Sequence, residues 1–192
     1  MGDRMVAALY VDARRGPYSS LDSVDVWGIE RDAKLYDGAA PVVAHPPCGP
    51  WGRLWHLCTK QDPECATIAA AQVRRCGGVL EHPAHSKLWT AAGLPRPGEL
   101  VSPGEFSIRV DQWVWGHQSV KPTWLFVSGC QPEDVPPIPD GHDRVRPDGR
   151  RRQRTDGGGH TYTLATMPQS KRHLTPPEFA AWLVELARRC RP

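Results

Sequence analysis

Two short stretches of this chain join a reactive side chain to a backbone that holds it still. In VVAHPPCGPWG, Val42 to Gly52, an apolar run meets two prolines and then Cys48. Pro46 and Pro47 fix their φ angles and remove two N–H donors, and Gly49 with Pro50 discourages continuation into a helix. A thiol on so stiff a loop is presented as a nucleophile is. In GGVLEHPAH, 33 residues further along, Glu81 follows another apolar run and precedes a proline loop. A carboxyl group kept protonated in a partly buried site can donate to a ring nitrogen. Cys48 and Glu81 together read as a nucleophile beside a proton donor.

For these groups to meet, strands must end side by side. Residues 5–11 (MVAALYV), 24–29 (VDVWGI) and 41–44 (PVVA) read as short strands, the first buried on both faces. Residues 67–75 read as an Ala-rich helix stopped by Gly77-Gly78, and Val79-Leu80 as a fourth strand. The alternation over 106–115 and the run TWLFV over 123–127 predict two more. At the end of the chain, Thr175 is expected to cap a helix with Pro176 at its first position and Glu178 closing a capping box. Phe179, Trp182, Leu183 and Leu186 would form its apolar stripe. A helix between the third and fourth strands suggests an open, mostly parallel α/β sheet, where ligands sit beyond the carboxyl ends of the strands. Asp12, Glu30, Cys48 and Glu81 all fall at or just past such ends, which predicts a single active site.

With 192 residues the chain is expected to form one compact domain. Its organisation reads as an α/β core over 1–128, an Arg/Pro/Gly-rich loop or arm over 129–160, and a C-terminal segment and helix over 161–192. The formal charge is only +3, yet Arg144, Arg146, Arg150, Arg151, Arg152 and Arg154 crowd into one stretch with a single apolar residue. That clustering predicts contacts to nucleic-acid phosphates, with a solvated loop as the plainer reading. Six cysteines without a C-x-x-C argue against a disulfide framework. No apolar run approaches the length of a membrane span, and MGDRMVAALYVDARR lacks the features of a leader. The expectation is a reduced, soluble, cytoplasmic protein.

The PPC after an apolar strand, followed by the strand-end Glu of EHP, resembles the Pro-Pro-Cys and Glu-Asn-Val motifs of DNA (cytosine-5) methyltransferases. WVWGHQSVKPTWLFV is similar to the family's next basic segment and strand, and KRHLTPPEFAAWL to its late R-x-L-T-x-R-E segment. The resemblance implies a truncated methyltransferase fold, Rossmann-like, and chemistry on a pyrimidine. Cys48 as thiolate would add to carbon 6 of a flipped base, Glu81 would protonate ring nitrogen 3, and carbon 5 would take a one-carbon group. Lys121 or Arg109 would stabilise charge on the base. The implied cofactor is S-adenosyl-L-methionine, with Asp12, Gly16, Glu30 and Pro46 in the positions that hold it. DNA is the implied partner, and a second copy or a completing chain could finish the pocket.

The chain also departs from the family. Its first loop, YVDARRGPYSSL, has one glycine, and twelve residues separate Asp12 from Asp25, too few for a full crossover helix. The Asn that usually follows the glutamate is His82. Three further readings stay open: carbon-5 chemistry with a different donor, a non-catalytic DNA-binding relative, and a zinc enzyme using His45, Cys48, His82 and His85 with Glu81 as base.

Overall fold

The computed structural model describes residues 4–52, 55–58, 61–99, 103–139, 153–155, 161–163 and 174–192. Six strands form one sheet in the order β2-β1-β3-β4-β6-β5, with β1 Val6–Leu9, β2 Val24–Trp27, β3 Val42–Ala44, β4 Gly78–Pro83, β5 Glu105–Asp111 and β6 Pro122–Ser128. The first four are mutually parallel, and β6 runs against both β4 and β5. The chain leaves β1 toward β2 on one side and returns to β3 on the other. The switch in direction between β1 and β3 is where open α/β sheets keep their ligand crevice.

Alternating side chains of the strands feed two separate cores. Val6 and Ala8 of β1, Val43 of β3 and Val79 of β4 lie with α3 (Pro177–Arg189). Ala7, Leu9, Val42, Ala44 and Leu80 lie with α1 (Glu64–Cys76) and the one-turn α2 (Leu88–Ala91). A strand such as VAAL, apolar at every position, is what a sheet covered on both faces requires. The α1 stripe is Ala66, Ala69, Ala70, Val73 and Cys76, small enough for close approach to β3 and β4. After α1, Gly77 has φ +73 and Gly78 φ +131, and a Cβ on Gly78 would run into the Val42 carbonyl. Only glycine brings the chain from helix to strand so tightly.

On the other face, Phe179, Leu183 and Leu186 of α3 are fully buried, each worth about 1.5–3 kcal/mol by burial. Trp115 packs on Phe179 and Trp182 at 4.8 and 5.1 Å between ring centres. The helix starts one residue later than expected and without the capping box. Pro177 restricts Pro176 to an extended ψ of 141°, so Pro176 stands outside the helix and Thr175 is no cap.

One other element differs from expectation. The strand predicted through Trp115 ends at Asp111, and Gln112–Trp115 turn into a 3-10 helix that carries Gln112 inward. The connection from β1 to β2 holds only a four-residue 3-10 turn, Pro17–Ser20, as its shortness implied. After β6, Val135 and Ile138 rest against the α3 core, and Trp182 Nε1 donates to the Pro137 carbonyl at 3.1 Å. Further along, β7 (Gln153–Thr155) and β8 (Thr161–Thr163) form an antiparallel ribbon. Arg154 belongs to β7, while Arg144, Arg146, Arg150, Arg151 and Arg152 lie outside the described residues. Among the described residues no helix is long and apolar enough to cross a membrane.

Candidate active site

Register places the carboxyl ends of four parallel strands in one row, because Leu9 pairs with both Trp27 and Ala44, and Ala44 with Leu80. The next residues on β3 and β4 are therefore neighbours, and they are His45 and Glu81. His45 Nδ1 lies 3.0 Å from Glu81 Oε2, and the Tyr18 hydroxyl lies 2.5 Å from His45 Nε2. On the other side, Gln112 Nε2 donates to Glu81 Oε1 at 2.8 Å and to Thr123 Oγ1 at 3.0 Å. Four elements thus converge on one carboxyl group that is only 8 % exposed.

The expectation of a neutral Glu81 is corrected by these surroundings. Burial pushes the carboxyl up, but the Lys121 charge and the His45 hydrogen bond outweigh it and bring it down to about 2. A carboxylate can only accept, so His45 carries its hydrogen on Nδ1 and accepts on Nε2. Burial, with the charge of Glu81 behind it, holds the phenol of Tyr18 well above its ordinary value, so Tyr18 stays a donor. Each contact in the Tyr18–His45–Glu81 chain then has one hydrogen and one acceptor.

Cys48 is exposed on the loop that follows. Its protein surroundings and the negative charge of Glu81 push the thiol up, and Lys121 pulls in the opposite direction without prevailing. The free protein therefore holds Cys48 as a thiol and not as the thiolate anticipated from the motif. Lys121 reaches this edge because β6 is antiparallel, which puts its start beside the end of β4, where Thr123 pairs with Pro83. Lys121 has φ +45, a left-handed conformation uncommon for a side-chain-bearing residue, and its Nζ donates to the Leu174 carbonyl at 3.0 Å.

His82, the next residue on β4, points to the α1 face, where its ring centre is 6.4 Å from that of Trp89. Glu81 engages the HPPC segment through His45, while His82 lies near the Pro47 carbonyl on the other face with neither ring nitrogen hydrogen-bonded. Burial holds the His82 imidazole down at about 4, from 6.5. The unfolded chain takes up this proton near pH 6.5 and the folded one near 4, so stability present above pH 6.5 is lost as pH falls through 4. The 2.5-unit gap corresponds to about 3 kcal/mol. Urea melts at pH 7, 5.5 and 4 should show that loss in the wild type and a much flatter profile in His82→Asn.

The remaining expected site residues divide clearly. Arg109 stands on edge strand β5, on the sheet face opposite Phe106, Ile108 and Val110, and so opposite Glu81; it is exposed. The structure does not bring it to the site. The zinc set is not assembled either: both His45 nitrogens are engaged, and among the described residues no cluster of His, Cys, Asp and Glu could hold a metal ion. Asp12, Gly16 and Glu30 do lie together at the ends of β1 and β2, with Arg14 Nε 3.2 Å from Glu30 Oε1. Asp12 accepts from the N–H groups of Arg14 and Arg15 through Oδ1, and from Gly16 through its carbonyl. The first two bonds hold the Asp12 carboxyl below its usual range. Three N–H groups that could face a nucleoside cofactor are turned onto Asp12, Glu30 is paired, and Pro46 is buried. As folded, these residues do not fit S-adenosyl-L-methionine.

Tyr18, Gln112 and Thr123 complete the site without any local mark in the sequence. His45 was visible only as a metal ligand candidate, although its place one residue past the strand end is what pairs it with Glu81. No family model, no curated protein and no solved structure matches this chain.

Proposed function

We propose that this chain is an enzyme that modifies a pyrimidine of DNA at carbon 5, acting through Cys48 and Glu81 as the cytosine-5 methyltransferases it resembles do. The observation that carries the reading is the convergence of Cys48, Glu81 and Lys121 at one sheet edge. They come from three separate strand ends, and each is close enough for its charge to act on the next. The strand order, with its switch between β1 and β3 and one antiparallel strand, suits a truncated Rossmann-like methyltransferase fold.

Cys48 Sγ gives its proton to solvent, to which it is open, and bonds to carbon 6 of the ring. The electron pair of the carbon 5–carbon 6 double bond moves to carbon 5 and is spread through the ring toward nitrogen 3. Glu81 starts as a carboxylate, so nitrogen 3 takes its proton from solvent as the base binds and holds it in a hydrogen bond to Glu81. Oε2 retains an acceptor position for that bond beside His45. Lys121, whose charge already acts on Cys48 and Glu81, would offset the negative charge that accumulates on the ring. Carbon 5 then displaces the leaving group of a one-carbon electrophile, its hydrogen passes as a proton to solvent, the sulfur–carbon 6 bond breaks to release the thiolate, and the nitrogen 3 proton returns through solvent to the sulfur, restoring the ring and the thiol. The closed Asp12 loop favours an electrophile other than S-adenosyl-L-methionine. Arg154 and the five arginines before it supply phosphate contacts in this reading.

The test is nucleoside mass spectrometry of DNA from cells with and without the protein, repeated with methyl-labelled S-adenosylmethionine. A pyrimidine of increased mass that appears only with the protein is the expected result. Label in that product would restore the methyl donor, and unmodified DNA throughout would overturn the proposal.

A further inference from the structure

The loop that presents Cys48 continues through half-buried Trp51 into the exposed rings of Trp55 and His56. Trp51 and Trp55 lie on the two 3-10 turns after the cysteine, Gly49–Trp51 and Trp55–Leu57. This loop is tied to the segment after β4, since the Lys87 N–H donates to the Trp51 carbonyl at 3.0 Å. Trp55 is 49 % exposed, a large apolar surface left in water. Lys87 Nζ sits 4.3 Å from its ring centre, and exposed His56 meets it edge-on at 6.1 Å. On the same side, His85 is exposed with φ +63, and its ring lies 4.9 Å from that of Trp124. A histidine held in the left-handed region to place its ring outward is a costly feature in a loop with no need of it.

Separate flat rings, each next to a cation or an imidazole, suit a ligand with flat faces and negative charges between them. A contiguous apolar patch for a folded protein would be arranged differently. Unpaired nucleotides have these properties: their bases stack on aromatic rings and their phosphates sit on cations. Duplex DNA does not, because its base faces are already stacked and only groove edges and phosphates are offered. Asp62, an acid close to the ring group in sequence, is occupied by Lys34 at 2.9 Å.

We infer that Trp55, His56, Lys87 and His85 form a platform for single-stranded nucleic acid beside Cys48, so that the strand acted on is unpaired. This inference rests on the reading of the chain as a nucleic-acid enzyme and narrows its substrate. A base already out of a duplex needs no flipping before it meets the thiol.

Fluorescence anisotropy with a labelled single strand of about 16 nucleotides, and with the same sequence annealed, tests it. The single strand is expected to bind the wild type at least about tenfold more tightly than the duplex. Trp55→Ala should weaken the single strand about 5- to 150-fold and the duplex little, in line with the stacking of one base. Trp55→Phe should keep most of the affinity. Trp55 is half exposed, so these variants should fold, and circular dichroism verifies that. Duplex binding as tight as single-strand binding, or an unchanged Trp55→Ala, would overturn the platform. Binding of neither strand would do the same and turn attention to a protein partner. Modified nucleosides with no single-strand preference would sink the platform alone. Tight single-strand binding without any modified nucleoside would sink the reaction and leave the platform standing.

Discussion

Cys48→Ala is expected to abolish pyrimidine modification, by at least about 1,000-fold, while changing stability by less than about 0.5 kcal/mol. The two halves have separate causes. Cys48 is exposed, and the bond it accepts from the Trp51 N–H goes to its backbone carbonyl, which truncation keeps, so removing the thiol leaves no cavity. In the proposed reaction its sulfur supplies the bond to carbon 6; Cys58, whose Sγ folds back against Gly49, is directed at Gln61 Oε1 at 3.7 Å. Cys48→Ser should be equally inactive, because a hydroxyl is a far weaker nucleophile with no adjacent base; both His45 nitrogens are already committed. Product formation by mass spectrometry and urea melts of the two variants check this. A variant that keeps its activity would remove the covalent step. A variant that loses activity and several kcal/mol together would make Cys48 structural.

The strand ends were legible in the sequence because each was an apolar run cut off by a polar or proline turn, and burial on both faces leaves that mark plainly. So was the stripe of α3, whose Phe179, Trp182, Leu183 and Leu186 follow helical spacing. What the sequence withheld was charge state. PPC and EHP show a thiol and a carboxyl group but not the groups that face them across the sheet. Glu81 is ionised because Lys121 arrives on an antiparallel strand and His45 through a parallel pairing, both long-range events of topology. Tyr18 and Gln112 were hidden for a related reason: each sits on a 3-10 turn, too short to carry a periodic signal. Arg109 was misplaced because alternation along β5 gives its face correctly only once the partner core is known. The β1 loop departed from the family pattern already in its glycine count, and the fold shows the consequence in N–H groups closed onto Asp12.

Glu81→Ala is expected to cost about 3–5 kcal/mol at pH 7, the largest stability effect of any change at this site. It strands the His45 Nδ1–H and the Gln112 Nε2–H in a buried place, and leaves the charge of Lys121 uncompensated. The pH dependence identifies the cause. The carboxyl falls from 4.5 in the unfolded chain to about 2 in the folded protein, so its contribution is complete above pH 4.5 and is lost as pH falls through 2. That 2.5-unit difference is about 3 kcal/mol, and the gap between wild type and variant should close by roughly that amount across this window. Glu81→Gln separates the charge from the shape. It keeps the volume, removes the carboxylate charge that holds the nitrogen 3 proton and hence activity, and also removes the negative charge that pushes the Cys48 thiol up. With Lys121 still in place, that thiol should titrate lower, and iodoacetamide should label Cys48 several-fold faster at pH 7 than in the wild type. A more reactive cysteine together with lost modification is an outcome that simple unfolding would not give, since unfolding would expose the buried Cys130 and Cys190 to the reagent as well. Labelling at an unchanged rate would mean that Glu81 does not act on Cys48, and the two residues would no longer constitute one site.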